Sequence, residues 1–136
     1  MYKIKIFTVG KAKENWLCDA LSEYESRLAP YLTLEWFLAK DDKGLNVWAE
    51  KESSFIALDP QGRTFTSEDF SKHLIKLPRL SLFIGGADGL STTVKTKAKE
   101  LWSLSLLTFT HQMTRIILLE QIYRAFEIER GSPYHK

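Results

Sequence analysis

Short apolar runs and helically spaced runs take turns along almost all of this 136-residue chain, and that alternation limits its fold more than any other feature. Residues 2–9 alternate charged and apolar side chains up to Gly10 and read as a strand. From Asn15 to Ala29, Trp16, Leu17, Ala20, Leu21, Tyr24 and Leu28 recur at helical spacing until Pro30 stops the run. Leu32 to Leu38 predicts a second strand, Asp41-Asp42-Lys43-Gly44 a turn, and Leu45 to Glu52 a short helix. Ser54 to Leu58 predicts a third strand ending in the turn Asp59-Pro60-Gln61-Gly62. Thr66 and Asp69 stand at capping-box spacing ahead of a helix through Phe70, Leu74 and Leu77. Leu80 to Ile84 reads as the fourth strand, and Ser91 as the cap of a helix that turns Val94 and Ala98 inward. Trp102 to Leu107 predicts a buried fifth strand, and His111 to Glu129 the longest helix. The pattern predicts one α/β domain over residues 1–136, a mostly parallel sheet with helices on both faces.

Composition removes several alternatives. With 44% hydrophobic and 26% charged residues, the chain can bury a core and is not disordered. Its single cysteine cannot form an internal disulfide, and no cysteine or histidine spacing suits a metal. No apolar run reaches the about 18 residues a membrane span needs. The N-terminus alternates like a strand and does not resemble a signal peptide, so a cytoplasmic protein is expected. A net charge of +2 is mild for a nucleic-acid partner. Lys95, Lys97, Lys99, Arg115, Arg124, Arg130 and Lys136 nonetheless weight the C-terminal half toward positive.

Parallel sheets bind ligands beyond the carboxyl ends of their strands, which here means the loops after Leu58, Ile84 and Leu107. The loop Gly85-Gly86-Ala87-Asp88-Gly89 is neither a P-loop nor a dinucleotide fingerprint, since the following residues and the spacing are wrong. A tight turn rarely needs three glycines, so bare backbone against a small molecule is the functional expectation. His111, with Gln112 and Arg115 one turn on, brings polar groups to the same region, unless they serve as a cap and a surface charge. Glu120 and Arg124 are spaced to pair on the helix. Tyr134 and His135 are either frayed ends or a working tail.

Together these segments resemble a known family. Phe-Ile-Gly-Gly-Ala-Asp-Gly-Leu, Leu-Ser-Leu-Leu-Thr-Phe-Thr-His-Gln-Met-Thr-Arg, Leu-Leu-Glu-Gln-Ile-Tyr-Arg-Ala-Phe and the closing Arg-Gly-Ser-Pro-Tyr-His-Lys are similar to the RlmH family. These are SPOUT methyltransferases of large-subunit ribosomal RNA. The opening Phe-Thr-Val-Gly-Lys-Ala-Lys-Glu and Glu-Tyr-Glu-Ser-Arg-Leu fit as well, so the likeness covers nearly the whole chain. The resemblance implies a C-terminal trefoil knot, an exception to the rule that chains do not thread themselves. It also implies a homodimer, S-adenosylmethionine as methyl donor, and N3-methylpseudouridine as product in the helix 69 stem-loop of 23S rRNA within assembled ribosomes. The matching positions for the cofactor are Leu58, Gly85, Gly86 and the run Leu104, Ser105, Leu106, Leu107, Thr108 and Phe109. Two departures stand out: Thr110 replaces the usual proline, and the segment between Leu38 and Ser54 is shorter than in relatives.

The chemistry follows from the implied reaction. Ionising an imide nitrogen whose pKa lies about two units above ambient costs about 2.7 kcal/mol, so a base or a cationic setting must help. His111 and His135 carry the side chain suited to take a proton near neutral pH. Arg115 is expected beside the developing charge, Tyr134 stacked on an extruded base, and Arg124, Arg130 and Lys136 on RNA. A non-catalytic ribosome-binding protein that keeps the fold is the alternative; an intact glycine loop and complete tail speak against it. A small hydrolase lacks its nucleophile elbow here.

Overall fold

Each strand finds a parallel neighbour in the computed structural model, which describes residues 1–136. The elements run β1 (Tyr2–Val9), α1 (Asn15–Leu28), β2 (Leu32–Ala39), α2 (Asp42–Lys51), β3 (Ile56–Arg63), α3 (Ser67–Leu74), β4 (Arg79–Phe83), α4 (Thr92–Lys97), β5 (Glu100–Trp102) and α5 (His111–Glu129). The sheet order is β2-β1-β4-β3-β5, so the chain winds outward to β2 and then returns to build the other side. No helix is long and apolar enough to cross a membrane.

Strand alternation divides the core into two layers. Ile4, Ile6, Leu80 and Leu82 turn to one face, where Leu17 and Leu21 of α1, Phe70 and Leu74 of α3, and Leu118, Leu119 and Ile122 of α5 bury them. Phe7 and Phe83 turn to the other, stacked at 4.5 Å, and are covered by Leu45 and Ala49 of α2 and Val94 of α4. Helices therefore lie on both faces. Thr66 caps α3 by accepting the Asp69 amide at 3.1 Å, and Ser91 caps α4 through the Val94 amide at 3.3 Å.

Three local expectations need correction. The helix expected from Leu45 begins earlier, at Asp42, because Asp41 accepts the Gly44 amide at 2.9 Å and caps what reads as a turn. Asp59-Pro60-Gln61-Gly62 does not reverse the chain but bulges within β3, with Trp102 opposite both Leu58 and Arg63. Gly62 keeps that bulge against β5: a Cβ there would lie 2.6 Å from the Leu101 carbonyl. The fifth strand covers Glu100–Trp102 and not Trp102 to Leu107. Beyond it the Ser103 hydroxyl donates to the Ser105 carbonyl at 2.7 Å and the Ser105 hydroxyl accepts the Leu107 amide at 3.0 Å. These side chains give the backbone a local alternative to a ladder. Leu106 and Leu107 are left 89% and 73% exposed, so this segment is not a buried strand.

Candidate cofactor site

The bulge within β3 and the segments that follow β4 and β5 meet around one crevice of about 500 Å³. Leu58, Asp59 and Pro60 come from the β3 bulge, Ile84 to Ala87 and Gly89 from the glycine loop, and most of Trp102 to Thr110 from the segment after β5. His111, Gln112 and Thr114 close it from the start of α5. Of the positions expected to hold a cofactor, Leu58, Gly85, Gly86, Leu104, Ser105, Leu107, Thr108 and Phe109 line this space; Leu106 points into solvent.

The glycine loop works differently from the bare floor expected of it. A Cβ on Gly85 would lie 2.4 Å from the carbonyl carbon of Gly89, so its missing side chain makes room for the loop's own return strand. The Gly89 amide donates to the Gly86 carbonyl at 3.0 Å, and Gly89 takes a φ of +77°, which closes the turn. Gly86 is the roomier position: a Cβ there would meet nothing closer than the Val9 side chain at 3.5 Å. The turn presents main-chain groups to the crevice as a fixed unit.

Thr110 starts the helix cleanly. Its hydroxyl accepts the Met113 amide at 3.3 Å and its carbonyl accepts the Thr114 amide at 2.9 Å. The N-terminal end of α5, with its partly positive amides, therefore faces the crevice.

A family model described as "Predicted SPOUT methyltransferase" matches residues 2–135. The chain is 52% identical to ribosomal RNA large subunit methyltransferase H of Protochlamydia amoebophila, over the whole of both sequences. It is 39% identical to the protein of the same name from Streptococcus thermophilus, over 98% of this chain and 99% of the relative. This chain belongs to the SPOUT methyltransferases, in the RlmH family. Solved structures share the fold at low identity. The Legionella pneumophila protein Lpg2936, solved with the cofactor SAM bound, matches with a TM-score of 0.56 and 12% identity over 92% of this chain and 66% of that one. The SpoU methyltransferase AviRb of Streptomyces viridochromogenes gives 0.51 and 14% over 96% and 61%. The chain thus spans just under two thirds of the length of either structure.

The crevice of this SPOUT methyltransferase fits S-adenosylmethionine by the chemistry of its walls. Leu58 and Leu104, backed by buried Ile84 and Trp102, give the crevice an apolar wall suited to a purine, and the serine-rich loop offers main-chain groups to its edges. Its volume lies within the range of preformed small-molecule sites. Nothing in the chain groups three metal-ligating side chains.

The remaining expected site residues gather elsewhere. Arg115 is 2% exposed and does not line the crevice; its Nη2 donates to the carbonyls of Val9 and Gly10 at 2.8 Å each. That placement corrects the expectation of a guanidinium at the reacting base, and the burial lowers its pKa. Tyr134 folds back onto α5, donating to Glu120 at 2.7 Å and meeting Tyr123 edge-on at 4.9 Å. Burial, then the bond to Glu120, pushes its phenol pKa up. His135 lies between Arg124 at 3.0 Å and Glu68 at 3.4 Å. Glu120 and Arg124 pair as their spacing predicts, at 3.0 Å. Arg130 pairs with buried Glu127 at 3.0 Å, and Lys136 is exposed at the end. Helix rise of about 1.5 Å per residue sets Glu120 and Arg124 about 14 and 20 Å along α5 from His111. Within one chain, then, the tail does not reach the crevice.

Sequence reading missed Asp59, Pro60, Trp102 and Ser103 as lining residues. Asp59-Pro60 follows Leu58 directly, but the pair with Gly62 reads as a chain reversal and not as a bulge inside a strand.

Proposed function

We propose that this SPOUT methyltransferase transfers a methyl group from S-adenosylmethionine to N3 of a pseudouridine in the helix 69 stem-loop of 23S rRNA, on ribosomes in the cytoplasm. The observation that carries the reading is convergence: three loops distant in sequence wall one crevice, and His111 closes it at the N-terminus of α5. The full-length likeness to relatives named for ribosomal RNA methylation supports the substrate class. We take the return path through the glycine loop and the segment after β5 to be the trefoil knot.

The bound donor supplies an electrophilic methyl group on a cationic sulfur. The chain must hold it still, admit the nucleobase and relieve the imide of its proton. His111 is the lining imidazole and serves to accept that proton, and the amides at the start of α5 favour negative charge on the base oxygens. Thr108, Thr110 and Gln112 offer polar atoms around the same mouth.

We further propose a homodimer in which the tail of one subunit, with Tyr134, His135 and Lys136, completes the crevice of the other. Two features favour it. Leu106 and Leu107 stand exposed at the crevice, and α5 leaves Met113 exposed with Ile116 and Ile117 half-buried, an apolar surface that a partner would cover. Arg124, Arg130 and Lys136 would then flank the RNA, where phosphates must compete with Glu120 and Glu127 for the arginines.

The test is mass mapping of methylated nucleotides in ribosomes from cells lacking this protein, before and after adding it with S-adenosylmethionine. Appearance of one methyl group on a helix 69 pseudouridine is the expected result. Free 23S rRNA methylated as readily as whole ribosomes would remove the ribosome from the reading. No methyl transfer, together with tight ribosome binding, would leave a binding protein.

A further inference from the structure

We infer that Asp59 lets the crevice distinguish the charged methyl donor from its neutral product. This rests on the methyltransferase reading above and adds a residue that sets the preference between substrate and product. Among the 19 residues lining the crevice there is one carboxylate, Asp59, and no lysine or arginine. The Asp59 side chain is 12% exposed, and its placement is fixed from two sides. Oδ2 accepts the Gln61 amide at 3.0 Å, a bond made by the β3 bulge itself, and Oδ1 faces Lys95 Nζ of α4 at 3.4 Å. Lys95 lies outside the lining and is more open to water, so it damps the carboxylate's field in the crevice without cancelling it.

Charge is the property that changes most at this site during the reaction. In methyl transfer the S–C bond breaks with its electron pair left on sulfur, a C–N bond forms at N3, and the imide proton goes to the base. A sulfonium cation thereby becomes a neutral thioether, while the adenosine and the amino-acid end are unchanged. A volume of about 500 Å³ corresponds to an edge of about 8 Å, comparable with one Debye length, so the field of Asp59 reaches a sulfur bound in the crevice. Asp59 therefore favours the donor over the spent product and weakens its hold once the methyl group has left. The bulge explains why the position is available: a reversal at Asp59-Pro60 would carry the carboxylate away from the strand end, whereas the bulge keeps it at the crevice.

The experiment is calorimetric titration of the full-length protein, and of its Asp59→Asn and Lys95→Met variants, with S-adenosylmethionine and S-adenosylhomocysteine separately. Asp59→Asn is expected to weaken the donor about tenfold more than the product. Lys95→Met unmasks the carboxylate and is expected to shift the ratio the other way, toward the donor. Equal weakening of both ligands by Asp59→Asn would place Asp59 on the shared amino-acid end and overturn the inference. Should Asp59→Asn fail to fold, an unmoved ratio in Lys95→Met overturns it alone. A wild-type protein that binds neither ligand would instead bring down the methyltransferase reading and this inference with it.

Discussion

Arg115 and Gly10, 105 residues apart, are joined inside the protein: the guanidinium donates through Nη2 to the Gly10 carbonyl at 2.8 Å and equally to that of Val9. The end of β1 has no further strand to bond these carbonyls, and Gly10 turns the chain away with a φ of +80°. Arg115 thus locks the first strand to the start of α5, and the glycine loop passes close by, since a Cβ on Gly86 would lie 3.5 Å from the Val9 side chain. The helix end bearing His111 and the glycine loop are held in one frame.

Replacing Arg115 with Met should therefore act on the fold first. Two half-buried carbonyls would lose their donor, at a cost of about 2–3 kcal/mol. The melting temperature should fall by about 10 °C, with donor affinity falling as the frame loosens. Calorimetry and ligand titration check this. A variant with unchanged melting temperature but abolished turnover would return Arg115 to the reacting base.

Gly85 and Gly86 should differ sharply despite being neighbours. In Gly85→Ala the new methyl meets the Gly89 backbone, which cannot yield without opening the turn, so a loss of about 2–3 kcal/mol and of measurable donor binding is expected. In Gly86→Ala the methyl meets the Val9 side chain at ordinary contact distance, and stability should change by less than about 0.5 kcal/mol. Thermal denaturation of the two variants side by side decides it. Equal losses would mean that bare backbone at both positions serves the ligand directly.

Much of this architecture could be read from pattern. Phe7 and Phe83 fall opposite Ile4 and Leu82 in the strand alternation, and Thr66 and Ser91 announce their helices through spacing alone. The three segments that wall the crevice were identifiable because each adjoins an apolar run, although only the loop after Ile84 follows a strand end; Leu58 lies within β3 and Leu107 beyond β5. What escaped depends on contacts between distant segments. Gly62 holds the β3 bulge only because Leu101 lies against it, and Ser103 and Ser105 end β5 by bonds that apolar periodicity does not report. Arg115 looks like a surface charge one turn from His111 until β1 is packed beside it. The tail's partners, Glu120, Arg124 and Glu68, lie on two helices, so no local pattern could place it.

Glu127 ties stability to acid. Its pKa is drawn from 4.5 to about 2, chiefly by the Arg130 guanidinium and then by bonds from Tyr31 and Ser132, while burial opposes the shift. A depressed carboxyl contributes stability above its unfolded value and loses it as pH falls through the folded one. Glu127→Gln should therefore cost about 2 kcal/mol at pH 7, and the gap to wild type should close between about pH 4.5 and 2. Urea denaturation at stepped pH measures it. A gap that stayed constant to pH 2 would assign the loss to packing.

The tail makes the sharpest demand on the proposed dimer. Removing Tyr134 to Lys136 deletes two half-buried rings, the Tyr134 bond to Glu120 and the His135 contacts with Arg124 and Glu68, a loss of about 2 kcal/mol that leaves the protein folded. Methyl transfer should nonetheless fall by at least about 100-fold, the scale of a lost proton-transfer group. His111→Ala should be similarly inactive, since His111 lines the crevice of its own chain. The decisive sample is a mixture of the two defective proteins allowed to exchange subunits. If the tail serves the partner's crevice, each mixed dimer has one crevice with both lesions and one with neither, so activity returns. If each tail serves its own chain, every crevice in the mixture carries one lesion and nothing returns. Analytical ultracentrifugation establishes that mixed dimers have formed, and ribosome methylation by the exchanged sample then decides which subunit each tail belongs to in function.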